Sequence, residues 1–169
     1  MKFVFVTGGN RSGKSDFAQK YAESIQGFKT YVATAISTDK EMEDRISKHR
    51  EKRGKLWDNL VEEPYNLKKV ILDLNGKTDV VLIDCITVWI NNLLYKFDNN
   101  IEKTYSEINL FMENLKKVEY NIFIVSNEVG MGIVPLNKLA RVFRDISGRQ
   151  IRILRNLPMN FTLFFQDIP

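Results

Sequence analysis

The sequence predicts an α/β fold in which a mostly parallel central sheet is covered by helices on both faces. Short runs of β-branched and aromatic residues alternate along the chain with segments of helical periodicity. The run DVVLIDC at 79–85 is apolar at most positions, which is typical of a strand buried on both faces. The first run, KFVFVT at 2–7, ends at two glycines and precedes a helical pattern directly. Strands joined by helices favour parallel pairing.

The amino-terminal half supplies three strands, each followed by a helix. An apolar stripe that includes Phe17, Tyr21 and Ile25 marks the first helix. Thr38 and Glu41 form a capping-box pattern at the start of the second. The predicted elements are a strand at 2–7, a helix at roughly 14–25, a strand at 29–35, a helix from 38 to 54, the strand-like stretch LVEEP at 60–64 and a helix near 65–74.

The carboxyl-terminal half continues the alternation. Apolar residues spaced by four and three positions, from Ile101 to Leu115, predict an amphipathic helix. Leu136, Leu139, Phe143 and Ile146 mark another helix after a proline. The predicted elements are the strand at 79–85, a helix at 101–118, the strand NIFIVSN at 121–127, the helix after Pro135 and a last strand, NFTLFFQ, at 160–166.

Length and composition favour one globular domain spanning residues 1–169. The formal charge is only +4, but residues 45–55 and 138–155 each hold six basic side chains against one acidic. Both basic segments suit polyanionic ligands. Cys85 is the single cysteine, which excludes an internal disulfide framework. The apolar run at the amino terminus is too short for a signal peptide or a membrane span, so we expect a cytoplasmic protein.

Residues 8–15 match the phosphate-binding P-loop pattern G-x-x-x-x-G-K-[ST] at every fixed position, between a strand and a helix. Glycines allow backbone N–H groups to point at phosphate oxygens, and the helix amino terminus adds positive potential. We expect Lys14 to reach the β- and γ-phosphates and the Ser15 hydroxyl to bind Mg²⁺. The motif therefore indicates a P-loop NTPase-like fold. The predicted nucleotide-binding residues of the loop are Gly8, Gly9, Asn10, Arg11, Ser12, Gly13, Lys14 and Ser15.

Asp84 stands at the carboxyl end of VVLID, where a Walker B aspartate binds the metal. Ligands of open α/β sheets bind at this edge, so Asp84 is predicted to join Ser15 on Mg²⁺. The alternative interpretation is an N-cap for a helix that begins at Ile86. The two roles are compatible.

His49 is the only histidine, and Arg45 and Arg53 lie four residues before and after it on a predicted helix. Two neighbouring guanidiniums disfavour protonation of the imidazole, which leaves a ring nitrogen free to attack phosphorus. A single histidine on a charged helix is also commonly a solvated surface residue. Spacing alone leaves both interpretations open.

Several segments together resemble the cobinamide kinase and cobinamide-phosphate guanylyltransferase family of cobalamin nucleotide-loop assembly. The resemblance covers about residues 2–149 and is carried by VTGGNRSGKS, YVATA, EMEDRISKHREKR, Trp57 with VEEP, LIDCITVWINNLL, SNEVGMGIVP and LARVFRDISGR. It implies phosphorylation of adenosylcobinamide by ATP or GTP, then transfer of GMP from GTP through a histidine, giving adenosylcobinamide-GDP. It also suggests a trimer.

The resemblance assigns further residues. The family's guanylylated histidine falls in R-I-x-x-H, which here ends at His49. With Lys14, this histidine makes up the predicted catalytic pair. Glu62 is also a candidate acceptor for the guanine N–H groups. The nucleotide contacts implied beyond the P-loop are Ala33, Thr34, Ala35, Arg50, Glu51, Lys52, Arg53, Glu62 and Asp84.

The loop NEVGMGIVP lies just past a strand end and is interpreted as a substrate loop, with Glu128 as a base or metal partner. A glycine-rich turn into a helix is the alternative. Arg141, Arg144 and Arg149 are candidates for triphosphate or subunit contacts, or are simply solvated. After Arg149 the family pattern fades, which puts functions of the usual tail in doubt.

Two other functions stay open from the sequence. One is a single-activity P-loop kinase or guanylyltransferase. The other is a nucleotide-dependent switch that binds nucleic acid, but neither a recognition-helix motif nor an aromatic single-strand motif supports it. We therefore expect no nucleic-acid partner.

Overall fold

Six strands form one parallel sheet in a computed structural model that describes residues 1–37, 40, 56–154 and 160–164. The strand order is β3-β2-β4-β5-β1-β6, and every pairing is parallel. The elements in chain order are β1 Phe3–Gly8, α1 Lys14–Glu23, β2 Lys29–Ala33, β3 Asn59–Glu62, α2 Leu67–Asp73, β4 Val80–Asp84, α3 Ile86–Lys96, α4 Ile101–Leu115, β5 Asn121–Asn127, α5 Lys138–Leu154 and β6 Asn160–Phe164.

Alternation of side chains along the central strands produces two hydrophobic cores. On β1, Phe3 and Phe5 enter one core and Val4 and Val6 enter the other. Because successive side chains of a strand point to opposite faces, a strand buried on both sides must be apolar throughout. This requirement explains the uninterrupted apolar runs of β1, β4 and β5.

Helices cover both faces, as the sequence predicts. Helix α1 packs on one face through Ala18 and Ala22, which belong to the core of Val4 and Val6. Helices α2, α3, α4 and α5 contribute to the core on the opposite face, where the fully buried Trp89 of α3 is the largest side chain. The indole N–H of Trp89 donates to the Tyr65 carbonyl at 2.9 Å, which satisfies its polar group.

The predicted strands agree with the structure to within two residues at each end, and 121–127 coincides with β5. Two helices differ more. Helix α3, which the sequence indicated only by its start at Ile86, runs to Lys96, and α5 continues beyond Ile146 to Leu154. Gly148 does not end α5, because four more residues after 150 keep the helical pattern that buries Leu154. The predicted helix at 38–54 lies outside the described residues except for Lys40.

All parallel strands end at the same edge of a sheet, so their last residues are brought together. The strand-terminal residues of this carboxyl edge are Gly8, Ala33, Glu62, Asp84 and Asn127. Four of them, Gly8, Ala33, Glu62 and Asp84, are residues that the sequence assigns to a nucleotide site. The fold thereby gathers residues that are far apart in the chain.

Candidate active site

The P-loop curls between the end of β1 and the start of α1. Arg11 and Gly13 adopt left-handed backbone conformations, with φ of 60° and 80°. Such turns point successive backbone N–H groups into a concave surface that suits an anion. Ser12 is buried, and its hydroxyl has no hydrogen-bond partner among the described residues. An orphaned donor in a loop of this shape fits a phosphate cradle.

Lys14 is the first residue of α1 and is buried. Its Nζ donates to the Gly9 carbonyl at 3.0 Å, so the ammonium is folded back over the loop. Burial lowers the pKa of Lys14, while the negative charge of Asp84 acts in the opposite direction. The desolvated Lys14 ammonium can therefore exchange its hydrogen bond to the Gly9 carbonyl for bonds to phosphate oxygens.

Asp84 ends β4 on the same face of the sheet as α1, because it continues the alternation of Val80 and Leu82. Its Oδ2 accepts a hydrogen bond from the Tyr31 hydroxyl at 2.8 Å. The residue that precedes α3 as N-cap is Cys85, and no side chain caps this helix. The N-cap interpretation of Asp84 is therefore wrong, because β4 places its carboxylate beside β2 instead.

Thr34 fastens the end of β2 to the end of β4. Its hydroxyl donates to the Cys85 carbonyl at 2.7 Å and accepts from the Cys85 N–H at 3.0 Å. Asn92 of α3 donates to the Thr34 carbonyl at 2.8 Å and to the Pro64 carbonyl at 3.2 Å. The segment Ala33-Thr34-Ala35 is thus held from β4 and from α3.

Glu62 ends β3 beside Ala33 and is exposed at the carboxyl edge. The next residue, Glu63, has a separate task. Its Oε1 accepts the N–H groups of Tyr65 and Asn66 at 2.9 and 2.8 Å, just before α2. Of the two adjacent acidic residues, Glu63 is committed to the turn, and Glu62 faces outward from the sheet edge.

The loop after β5 adjoins the P-loop, since the Glu128 N–H donates to the Gly8 carbonyl at 2.8 Å. The Glu128 carboxylate accepts the N–H of Gly130 at 2.6 Å and that of Met131 at 3.0 and 3.1 Å. These bonds occupy the carboxylate within its own loop. The geometry supports a role for Glu128 in bracing the loop, and it does not support the predicted base or metal partner.

The three arginines of α5 make contacts within the chain. Arg141 donates to the Pro135 and Leu136 carbonyls, and Arg144 donates to the Gly130 carbonyl. The guanidinium of Arg149 stacks over the Tyr105 ring, 4.9 Å from its centroid. Arg141 and Arg144 therefore tie the Glu128 loop to α5.

The predicted nucleophile lies outside the described residues. His49, its neighbours from Arg45 to Lys48, and Arg50, Glu51, Lys52 and Arg53 all fall in the range 41–55. The described chain resumes at Leu56, directly before Trp57. The indole N–H of Trp57 donates to Glu23 of α1 at 3.1 Å, so the chain that resumes at Leu56 is attached to α1 at Trp57.

The donor set at the edge fits a magnesium ion. Ser15 and Asp84 offer hard oxygen ligands, and no group of three or more His, Cys, Asp or Glu side chains suited to a metal occurs in the described part of the chain. Mg²⁺ usually keeps several waters and binds one or two protein oxygens plus substrate phosphates. A dedicated protein cage is therefore not required here.

Sequence reasoning did not find the polar groups that support these residues. Neither the YVATA segment, which contains Tyr31, nor the sequence around Thr87 indicates such a contact. The Thr87 hydroxyl lies 3.0 Å from that of Ser126 and accepts the Asn127 N–H at 2.6 Å. Hydroxyl residues near strand ends are the sequence feature that could indicate such contacts. Their partners, however, lie 39 to 53 residues away in the chain.

Comparisons with known proteins agree on one family. The family described as cobinamide kinase / cobinamide phosphate guanyltransferase matches residues 4–168. The match extends well beyond Arg149, so the expectation that the resemblance ends there is wrong. β6 pairs with β1 in the segment that departs from the usual pattern. None of the helices in the described part of the chain is long and apolar enough to cross a bilayer.

Three curated relatives are similar over most of their lengths. The bifunctional adenosylcobalamin biosynthesis proteins CobU of Escherichia coli K12 and CobU of Salmonella typhimurium LT2 are each 37% identical, covering 86% of this chain and 86% of their own. CobP of Pseudomonas aeruginosa is 37% identical over 85% of this chain and 81% of its own length.

Proposed function

Since the chain belongs to the cobinamide kinase / cobinamide phosphate guanyltransferase family, we propose that it carries out both reactions in adenosylcobalamin biosynthesis. It phosphorylates adenosylcobinamide with ATP or GTP and then transfers GMP from GTP to the product, giving adenosylcobinamide-GDP. The observation that carries this proposal is the buried Lys14 in a complete P-loop, on the same face of the sheet as Asp84.

In the first reaction Lys14 leaves the Gly9 carbonyl and binds phosphate oxygens of the nucleotide. The N–H groups of residues 8–15 hold the same phosphates at the start of α1. The substrate hydroxyl oxygen attacks the γ-phosphorus, the bond to the β-phosphate oxygen breaks, and the hydroxyl proton is released. The cationic loop stabilises the charge that develops on the transferred group.

In the second reaction His49 is the covalent nucleophile. A ring nitrogen attacks the α-phosphorus of GTP, and pyrophosphate departs as the bond to the β-phosphate oxygen breaks. A phosphate oxygen of adenosylcobinamide phosphate then attacks the same phosphorus, and the nitrogen–phosphorus bond breaks. Arg50, Lys52 and Arg53 supply positive charge to the triphosphate, and Glu51 lies in the same stretch.

The other proposed contacts lie at the carboxyl edge. Ala33, Thr34 and Ala35 line the nucleotide at the end of β2, and Glu62 accepts hydrogen bonds from guanine. Ser15 and Asp84 hold Mg²⁺, which when bound neutralises charge on the phosphates. We further propose that the chain is one domain, that it assembles as a homo-oligomer, with the trimer that the family resemblance suggests, and that it acts in the cytoplasm without nucleic acid.

Labelling with GTP tests the covalent step. Incubation with [α-³²P]GTP is expected to leave label that acid removes and base does not, as a phosphoramidate behaves. His49→Ala is expected to abolish this label, whereas Lys48→Ala, which removes a neighbouring charge, is expected to keep it. Persistent label in the His49 variant would contradict the assignment. Turnover of adenosylcobinamide without label would instead indicate a kinase that acts alone.

A further inference from the structure

The hydroxyl of Tyr31 makes the only side-chain hydrogen bond to Asp84 that we observe in the described part of the chain. The phenol donates to Oδ2 at 2.8 Å, and the ring is almost fully buried. Tyr31 and Asp84 lie on adjacent parallel strands, because Tyr31 pairs with Leu82 and Ala33 pairs with Asp84. The phenol therefore reaches along the sheet, on the face of α1, to the carboxylate at its edge.

The Tyr31 ring packs against an aromatic side chain that is itself anchored. Trp57 meets the ring edge-on, with the ring centroids 5.2 Å apart and the planes at 88°. The indole N–H of Trp57 in turn donates to Glu23 of α1 at 3.1 Å. Trp57 and Glu23 both belong to segments outside β2. A buried ring packed against an anchored indole has little rotational freedom, so its hydroxyl is a fixed donor.

A carboxylate at the end of a strand rotates freely unless something holds it. A donor on Oδ2 restricts rotation of the carboxylate and leaves Oδ1 open to a metal. Groups that hydrogen-bond to a metal-binding carboxylate in this manner orient it and tune its affinity. Ser15 belongs to α1, which packs on the same face of the sheet.

We propose that Tyr31 is a positioning residue that fixes the Asp84 carboxylate for magnesium. The inference rests on the proposed function, in which Ser15 and Asp84 hold the metal with the nucleotide. Tyr31 itself contacts neither metal nor substrate. Its removal is expected to weaken metal binding and to leave the phosphate cradle of residues 8–15 intact.

The test compares two tyrosine-to-phenylalanine variants of the full chain. Tyr31→Phe removes the hydroxyl beside Asp84. Tyr120→Phe is the matched control, because Tyr120 is equally buried and donates to the Ile71 carbonyl at 2.7 Å, but precedes β5 at the opposite edge of the sheet. Each substitution deletes one buried hydroxyl and one hydrogen bond.

The probe is Mn²⁺, measured by electron paramagnetic resonance with the protein bound to a non-hydrolysable GTP analogue. Tyr31→Phe is expected to weaken Mn²⁺ binding about 10- to 100-fold, the usual effect of losing such a supporting group. Affinity for the analogue without metal is expected to stay at the wild-type value. In phosphoryl transfer, excess Mg²⁺ is expected to restore most of kcat.

Two results would overturn the inference. One is wild-type Mn²⁺ affinity in Tyr31→Phe, and the other is an equal loss in Tyr120→Phe, which would indicate a general effect of packing. The variant Asp84→Asn distinguishes a failure of the inference about Tyr31 from a failure of the proposed function. If Asp84→Asn also keeps full Mn²⁺ affinity, the metal assignment itself is wrong, and the labelling of His49 still tests the transfer reaction independently.

Discussion

The hydroxyl of Thr34 supports the backbone directly after Asp84. Its removal gives a specific prediction. Thr34 is fully buried and exchanges two hydrogen bonds with the backbone of Cys85, the residue after Asp84. Thr34→Val keeps the shape of the side chain and deletes both bonds. Thr34→Ser keeps the hydroxyl and deletes one methyl group. Comparison of the two variants separates the contribution of the hydrogen bonds from that of side-chain packing at one position.

The two variants are expected to differ in stability. Thr34→Val leaves the buried Cys85 N–H without a partner, which costs about 1–3 kcal/mol, whereas the Cys85 carbonyl keeps the Trp89 N–H and loses one hydrogen bond worth about 1 kcal/mol. The free energy of unfolding should therefore fall by roughly 3 kcal/mol. Thr34→Ser loses about 1 kcal/mol from the missing methyl group. For a domain of this size, 1 kcal/mol shifts Tm by about 2–4 °C, so the decreases are roughly 9 °C and 3 °C.

Chemical denaturation followed by tryptophan fluorescence, together with calorimetry, measures both decreases. The serine variant should also retain phosphoryl transfer, whereas the valine variant should lose more of it, because Cys85 fixes the backbone behind Asp84. If Thr34→Val proves as stable as the wild-type chain, the two hydrogen bonds contribute nothing net to stability, contrary to this expectation. If activity is lost in Thr34→Ser but kept in Thr34→Val, the methyl group and not the hydroxyl holds the site.

Two further predictions concern Glu128 and Cys85. If the Glu128 carboxylate braces its loop, Glu128→Gln keeps an acceptor and most of the activity, while Glu128→Ala exposes the loop to proteases; a general base would lose about 10²- to 10⁴-fold in either variant. Burial raises the pKa of the Cys85 thiol to about 12, so native protein at pH 8 should react with maleimide only as fast as it unfolds, and rapid labelling would contradict this. Because the folded-state pKa exceeds that of an unfolded thiol, about 8.5, the stability linked to this group is full below that pH and declines toward pH 12. Cys85→Ala should remove that decline from denaturation curves measured between pH 8 and 12.

The strands were predictable from the sequence because burial on both faces demands apolar runs, and only β4, β5 and β1 meet that demand fully. Helix lengths were harder. The apolar pattern marked α5 only as far as Ile146, but the glycine at 148 costs only about 1 kcal/mol in a helix, and the packing of Leu154 offsets that cost. Tertiary contacts set the end of α5, and a local sequence pattern carries no information about those contacts.

The residues of the site were predictable where a rule connects sequence to position. Parallel strands end at one edge, so Gly8, Asp84 and Asn127 were expected to meet there. The partners of these residues were not predictable. The bond from Tyr31 to Asp84 spans 53 positions, and the carboxylate of Glu128 turned back on its own loop because two backbone N–H groups were close enough to bind it.

The alternation of side chains along β4 determines that Asp84 lies on the same face of the sheet as the P-loop. Val80 and Leu82 point to the face that α1 covers, whereas Val81 and Ile83 point to the opposite core. With a period of two residues, Asp84 shares the face of Lys14 and Ser15, and an aspartate at the position of Ile83 would start from the other face. The same alternation places Tyr31 of β2 on the side of Asp84. The placement of a strand-end carboxylate beside a P-loop thus depends on strand register as well as on the sequence motif. The same register places Tyr31 where its hydroxyl can hold the Asp84 carboxylate.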